Sequence, residues 1–212
     1  MERIYNSKGS FSFMTWNLYL GTDLTPILNS TNAHYPLHVT EVFLQFLITN
    51  FHRRVKEIAN EIASKQPDII GLQEAENFRL SSIANRPFIS YDYVDMLLSE
   101  LRKKGIYYDI AVQNDNFSMQ LPLGNGNIHF LDRDVLLIRK ASGLKVIRRK
   151  AANYTTNLTI KVNGKSFRVL RGWSSVDVKA KGQTFRVINT HLDANSQKLR
   201  AAQGNELLNG PA

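Results

Sequence analysis

The sequence predicts an α/β protein on three observations. Three apolar runs end abruptly in polar residues: SFSFMTW at Asn17, PDIIGL at Gln73 and Glu74, and TFRVI at the cluster Asn189-Thr190-His191-Leu192-Asp193. A buried strand that stops in such groups sets them at the rim of a sheet, where α/β proteins place their chemistry. In the first half helical periodicity alternates with the apolar runs, and in the second half turn signals separate short strands.

Residues 10–18 alternate weakly through Phe11, Phe13, Met14 and Trp16 and read as a strand ending near Asn17. The Asn-, Thr- and Pro-rich stretch 21–36 is a loop just beyond it. From about Thr40 to Ser64 the period is helical. Val55, Ile58, Ala59 and Ile62 fall on one side, with Arg53, Arg54, Lys56, Glu57 and Glu61 opposite. Gln66-Pro67 stops that helix, and the buried run Ile69-Ile70-Gly71-Leu72 follows at once. A second helix spans about Tyr91 to Lys104 and ends at Gly105.

After Gly105 the helical period disappears. Residues 107–113, 135–139, 144–149, 157–162, 166–178 and 184–192 read as strands, with Asn163-Gly164 a strong hairpin turn and Lys181-Gly182 a weaker one. A last helix, Ser196 to Asn209, carries Leu199, Ala202 and Leu207 along one side and has Ser196 as its N-cap.

At 212 residues the chain is long enough for a sizeable core. It has no cysteine, which excludes disulfides and thiolate metal sites. No run approaches the roughly 18 apolar residues of a membrane span, and the N-terminus lacks the apolar core of a signal peptide. The expectation from the chain as written is a cytoplasmic location.

The net charge is +9, and it is unevenly spread. Between Arg133 and Arg186 there are 14 basic and 2 acidic residues, so the rest of the chain is slightly acidic. Such an excess favours phosphate-bearing partners such as nucleic acid, though Lys and Arg also populate the solvated faces of hairpins.

Asn17, Glu74 and His191 make a minimal kit for phosphate chemistry. A lone carboxylate at a strand end holds one hard divalent cation, because Mg²⁺ uses one or two carboxylates plus water and substrate phosphate. An asparagine nearby orients that carboxylate or a phosphate oxygen without adding charge. A histidine donates to a phosphoryl oxygen or exchanges protons near neutral pH.

Together these pieces resemble the endonuclease/exonuclease/phosphatase superfamily, the phosphoesterases related to pancreatic deoxyribonuclease and bacterial sphingomyelinase. The matching stretches are TWNLYLG, RRVKEIANEIASKQPDIIGLQE, DRDVLLIRK, FRVINTHLD and the helix KLRAAQGNELL. The resemblance implies the N-terminal part of a four-layer α/β/β/α sandwich with two mainly antiparallel sheets. It implies phosphodiester hydrolysis with Mg²⁺ or Mn²⁺. Glu74 would be the metal ligand, Asn17 would position that ligand or the phosphate, and His191 would stabilise the phosphoryl oxygens. Arg133 and Asp134 would lie on a strand starting near the phosphate. Arg200 and Gln203 read as helix surface and packing.

In relatives the last helix is followed by a Gly-Asp-x-Asn strand and later an Asp-His pair, which engage the nucleophilic water; neither motif occurs here. The expectation is a single domain over residues 1–212 that lacks its C-terminal part. Its function would be a nuclease-like phosphodiesterase. The alternatives are an inactive phosphate- or nucleic-acid-binding fragment and a sphingomyelinase-like lipid phosphodiesterase. The sheet exposed by such a truncation would favour self-association.

Overall fold

Alternation along the strands sorts side chains into two cores in the computed structural model of the chain, which describes residues 2–6, 9–28, 30, 34–82, 87–124, 126–162 and 165–211. Strand β3 (Ile69–Gln73) shows the rule. Ile70 and Leu72 face a helical layer, whereas Ile69 faces a second sheet. Strand β7 (Gly126–Arg139) repeats it, with Val135 and Leu137 on the helix side and Leu136 and Ile138 on the other.

The larger sheet runs in the order β1 (Glu2–Asn6), β2 (Gly9–Asn17), β3, β7, β4 (Asn77–Ser82), β5 (Pro87–Asp92). Strand β6 (Tyr108–Leu123) lies along the other edge of β7. Only β2 and β3 pair in parallel; the other ladders are antiparallel. β3 and β4 share one edge of β7, β3 against residues 135–138 and β4 against residues 126–131. The corner Glu74–Glu76 therefore falls between them, beside Asp132–Asp134.

The second sheet is β12 (Gln183–Thr190), β11 (Gly172–Ala180) and β8 (Lys145–Asn153), and its Val176 and Val178 pack on Ile69, Leu136 and Ile138. Among the described residues β9 (Leu158–Val162) and β10 (Lys165–Val169) pair only with each other, as a separate ribbon. A gap of about 420 Å³ between the sheets is lined by Phe13, Thr15, Gly71, Val187 and Asn189.

Helices α2 (Tyr35–Ile48), α3 (Phe51–Lys65) and α4 (Tyr93–Lys103) cover the larger sheet. On α3 the buried residues are Phe51, Val55, Ile58, Ala59 and Ile62, and each Val or Ile contributes about 1.5–3 kcal/mol of burial. α5 (Gln197–Asn209) lies on the side of the second sheet, where Arg186 Nη1 donates to the Pro211 carbonyl at 2.9 Å. Its N-cap is Ser196, and Gln203 is its buried residue. Architecture and layer order are those of an α/β sandwich with two mainly antiparallel sheets.

Several boundaries differ from the sequence reading. The helix expected over 40–64 is two helices, broken where Asn50 turns left-handed (φ 47°) and caps α3 by accepting from Arg53 N at 3.1 Å. Such a cap contributes about 1 kcal/mol. The loop expected over 21–36 contains the short helix α1 (Thr25–Leu28) and the start of α2. The strand expected over 166–178 is β10 and β11, interrupted at Leu170 and Arg171. β1, β4 and β5 were not anticipated, and β6 and β7 run far longer than expected. The Asn163-Gly164 turn lies outside the described residues. Among those described, no helix is long and apolar enough to cross a membrane, which leaves β-barrel membrane proteins aside.

Candidate functional site

Asn17 ends β2, and Glu74 immediately follows the parallel strand β3. Adjacent parallel strands deliver their ends to the same edge, so the two side chains meet: Asn17 Nδ2 donates to Glu74 Oε1 at 2.8 Å. The other carboxylate oxygen of Glu74 accepts from the Leu20 amide, and Asn17 Oδ1 accepts from Tyr19 N at 2.8 Å. Glu74 sits at φ 50° and Tyr19 at φ 63°, a left-handed conformation rarely adopted by either residue type. Such strain persists only where surroundings enforce it. Arg54 on α3 donates to the carbonyls of Leu18 (2.6 Å) and Tyr19 (3.2 Å), and the Tyr93 hydroxyl donates to the Leu20 carbonyl at 3.0 Å. Two helices thus clamp the loop after Asn17.

The corner carrying Glu74 is pinned from β7. Arg133 Nε donates to the Ala75 carbonyl at 2.7 Å, and its guanidinium pairs with Asp92, which also caps α4. Arg133 is only 7% exposed, and these contacts use its Nε and Nη2. The structure thus sets Arg133, expected near the phosphate, against the corner that carries Glu74. Asp134 is 0% exposed, accepts from Asn116 Nδ2 at 3.0 Å, and is absent from the lining of the cleft beside Glu74. Asp134, also expected near the phosphate, is thus buried away from the lining of that cleft. Asn116 is re-aimed by a β-bulge that shifts the β6–β7 register between Asp115 and Phe117.

His191 follows β12 and meets Arg171, whose Nη1 lies 3.3 Å from its Nδ1 and 2.9 Å from Asp132 Oδ2. A guanidinium only donates, so Nδ1 accepts and the imidazole proton rests on Nε2. Burial, with the Arg171 charge second, pushes the His191 pKa down to about 4. His191 is thus a neutral N–H donor at pH 7. Asn189, two residues earlier, is spent on joining the sheets: Nδ2 donates to the Leu72 carbonyl at 2.9 Å.

Glu74, Glu76, Asp132 and Arg171 line a cleft of about 270 Å³, walled by apolar residues from α1, β6, β7 and the β9–β10 ribbon. Glu76 is 1% exposed, and burial, with Asp132 and Glu74 beside it, raises its pKa well above the usual range. Burial and Asp132 push Asp134 up to about 7. Glu76 Oε2, Asp132 Oδ1 and Asp134 Oδ1 are buried with no hydrogen-bond partner among the described residues.

Structures of known proteins share this fold. A protein from Leptotrichia buccalis described as an endonuclease/exonuclease/phosphatase family protein aligns with a TM-score of 0.52 and 16% identity, over 76% of this chain and 55% of that one. The chain has the fold of the endonuclease/exonuclease/phosphatase proteins. A humanized D. rerio TDP2 carrying 14 mutations aligns with a TM-score of 0.50 and 16% identity, over 94% of this chain and 58% of that one. The chain therefore spans just over half the length of these structures. No family model and no curated protein matches the sequence.

The sequence reading missed Arg171, Asp132 and Glu76. Alternation on β7 gave a signal for one of them: Asp132 and Asp134 share a face, and Arg133 must face away. Arg171 carried no signal, since it sits in a short link between two strands that read as one. Arg200 and Gln203 serve packing: Arg200 Nη1 donates to the Asp193 carbonyl at 2.9 Å, and Gln203 bridges Asp193 N and the Thr156 carbonyl.

Proposed function

We propose that this chain carries the phosphate-directed groups of a metal-assisted phosphodiesterase of nuclease type. The observation that supports the reading is the Asn17–Glu74 hydrogen bond, which holds a carboxylate at the mouth of a cleft shared with Arg171.

The fit to a metal is narrow. Among the described residues no three His, Asp or Glu side chains are grouped so as to hold an ion. Glu74 accepts one hydrogen bond on each oxygen, which leaves lone pairs for a cation completed by water and phosphate, as Mg²⁺ accepts. Mg²⁺ or Mn²⁺ there would offset charge developing on phosphorus. Asn17 orients the carboxylate. His191 offers Nε2–H to a phosphoryl oxygen, and Arg171 offers a second charge-assisted donor. Asp134 and Arg133 hold the frame beneath them.

Nucleic acid is the favoured substrate because basic residues crowd an exposed edge strand. Lys145, Arg148, Arg149 and Lys150 are all exposed on β8. In this reading Asn17, Glu74, Arg171 and His191 bind and orient, and a base for the attacking water, a role worth about 10²–10⁴-fold, is not among them. Binding should therefore outrun turnover.

The test is plasmid nicking and hydrolysis of a chromogenic phosphodiester with Mg²⁺ or Mn²⁺. Slow metal-dependent turnover that Glu74→Gln abolishes supports the reading. Turnover indifferent to Glu74→Gln overturns it, and nucleic-acid binding with no turnover favours the inactive binding fragment.

A further inference from the structure

We propose that the cleft behind Glu74 is a subsite for a protonated amine attached to an apolar chain, with its N–H donors seated on Glu76 and Asp132. The place of this group within a phosphoester substrate rests on the function proposed above, whereas the subsite itself rests on separate residues.

The floor and the walls demand different things of a ligand. Glu76 and Asp132 are 1% and 7% exposed, both line the cleft, and each has a carboxylate oxygen without a partner among the described residues. A buried carboxylate oxygen left unpaired is costly, and a hydrogen-bond donor or cation relieves it. Among the described residues Arg171 is the single cationic side chain lining the cleft, against Asp23, Glu74, Glu76 and Asp132. It is already committed to Asp132 Oδ2 and His191. An ammonium group, with several N–H donors, fits the oxygens that Arg171 leaves unpaired.

The walls select for hydrocarbon. Ile27 and Leu28 come from α1, Phe117 and Phe130 from the long β6–β7 ladder, and Ile160 and Val169 from the ribbon. A volume of about 270 Å³ holds a short alkyl or aryl group, and apolar walls with a few convergent polar atoms are how small-molecule sites are built. A quaternary ammonium carries charge without N–H donors, so it leaves both orphan oxygens unsatisfied. The floor therefore reads primary amines in preference to quaternary ones.

Calorimetric titration of the chain with hexylamine, hexyltrimethylammonium and hexanoate at pH 7 tests this without any phosphate. Hexylamine should bind with a dissociation constant of about 1 mM or below, and the other two at least about tenfold more weakly. Glu76→Gln and Asp132→Asn should each weaken hexylamine by about tenfold, with folding checked by circular dichroism. Equal binding of all three ligands would assign the site to its apolar walls and overturn the proposal. Preference for hexanoate would assign it to Arg171, and absence of hexylamine binding would also overturn it. Glu74→Gln separates the two readings: it should abolish turnover and weaken hexylamine by less than Glu76→Gln or Asp132→Asn does, so either can fail alone.

Discussion

Asn189 on β12 reaches between the sheets to Gly71 on β3, and its Oδ1 stands 2.7 Å from the point a Cβ on Gly71 would occupy. The same oxygen accepts from Gln73 Nε2 at 2.6 Å, while Nδ2 donates to the carbonyls of Leu72 at 2.9 Å and Val135 at 3.3 Å. One amide thus ties the second sheet to two strands of the first, one residue before Glu74 and two before His191. The glycine of GLQE is there because the asparagine needs the space.

Gly71→Ala should therefore push Asn189 out of its pocket and strand buried amide and carbonyl groups. The expected loss is about 2–4 kcal/mol, seen as a drop of several degrees in the melting midpoint. Asn189→Ala should remove most of the added penalty when combined with Gly71→Ala. Purely additive losses in the double variant would argue against the contact.

His191 should titrate near pH 4 by NMR, well below an ordinary imidazole. Between its ordinary value and about 4 the unfolded chain binds a proton that the folded chain refuses. This group's contribution therefore makes stability rise with pH across that window and fall as the pH drops toward 4. Arg171→Gln removes the second cause of the depression, and the His191 titration should move up toward its usual range. An unmoved titration would mean that burial alone sets it.

Asp134 has the opposite sign. Its folded pKa is raised from 3.8 to about 7, so its protonated form is favoured in the fold and that contribution is lost as pH rises through 7. Asp134→Asn mimics the protonated acid. The variant should be more stable than the parent at pH 8 by about 2–4 kcal/mol and indistinguishable below pH 4. Urea melts at the two pH values check this, and equal stability at pH 8 would contradict it.

Charge neutralisation on β8 should flatten the salt dependence of nucleic-acid binding. Replacing Arg148, Arg149 and Lys150 by Gln should reduce the slope of log affinity against log salt by about two to three. An unchanged slope would leave that basic strand as a solvated face.

Much of this was legible because rim chemistry at strand ends leaves a local trace. Asn17, Glu74 and His191 each end an apolar run, and the structure brings the first two into contact and the third to Arg171, which lines a cleft with Glu74. The split at Asn50 was hard to read, because each helix keeps a 3.6-residue period of its own and Asn adopts positive φ with little penalty. The orphaned oxygens of Glu76 and Asp132 arise from which strands share an edge of β7, and that pairing is non-local. Arg133 reads as a phosphate ligand in one dimension, but in three its partners are Asp92 and Ala75.

The central claim is that Glu74, held by Asn17, is the carboxylate that binds the divalent cation. Its most direct test is Mn²⁺ binding followed by electron paramagnetic resonance, with the parent chain, Glu74→Gln and Asn17→Ala compared in the presence of a phosphodiester. The parent should bind one Mn²⁺, Asn17→Ala should bind it about tenfold more weakly, and Glu74→Gln should bind none above background. Undiminished Mn²⁺ binding by Glu74→Gln would contradict the account and move the metal to other carboxylates.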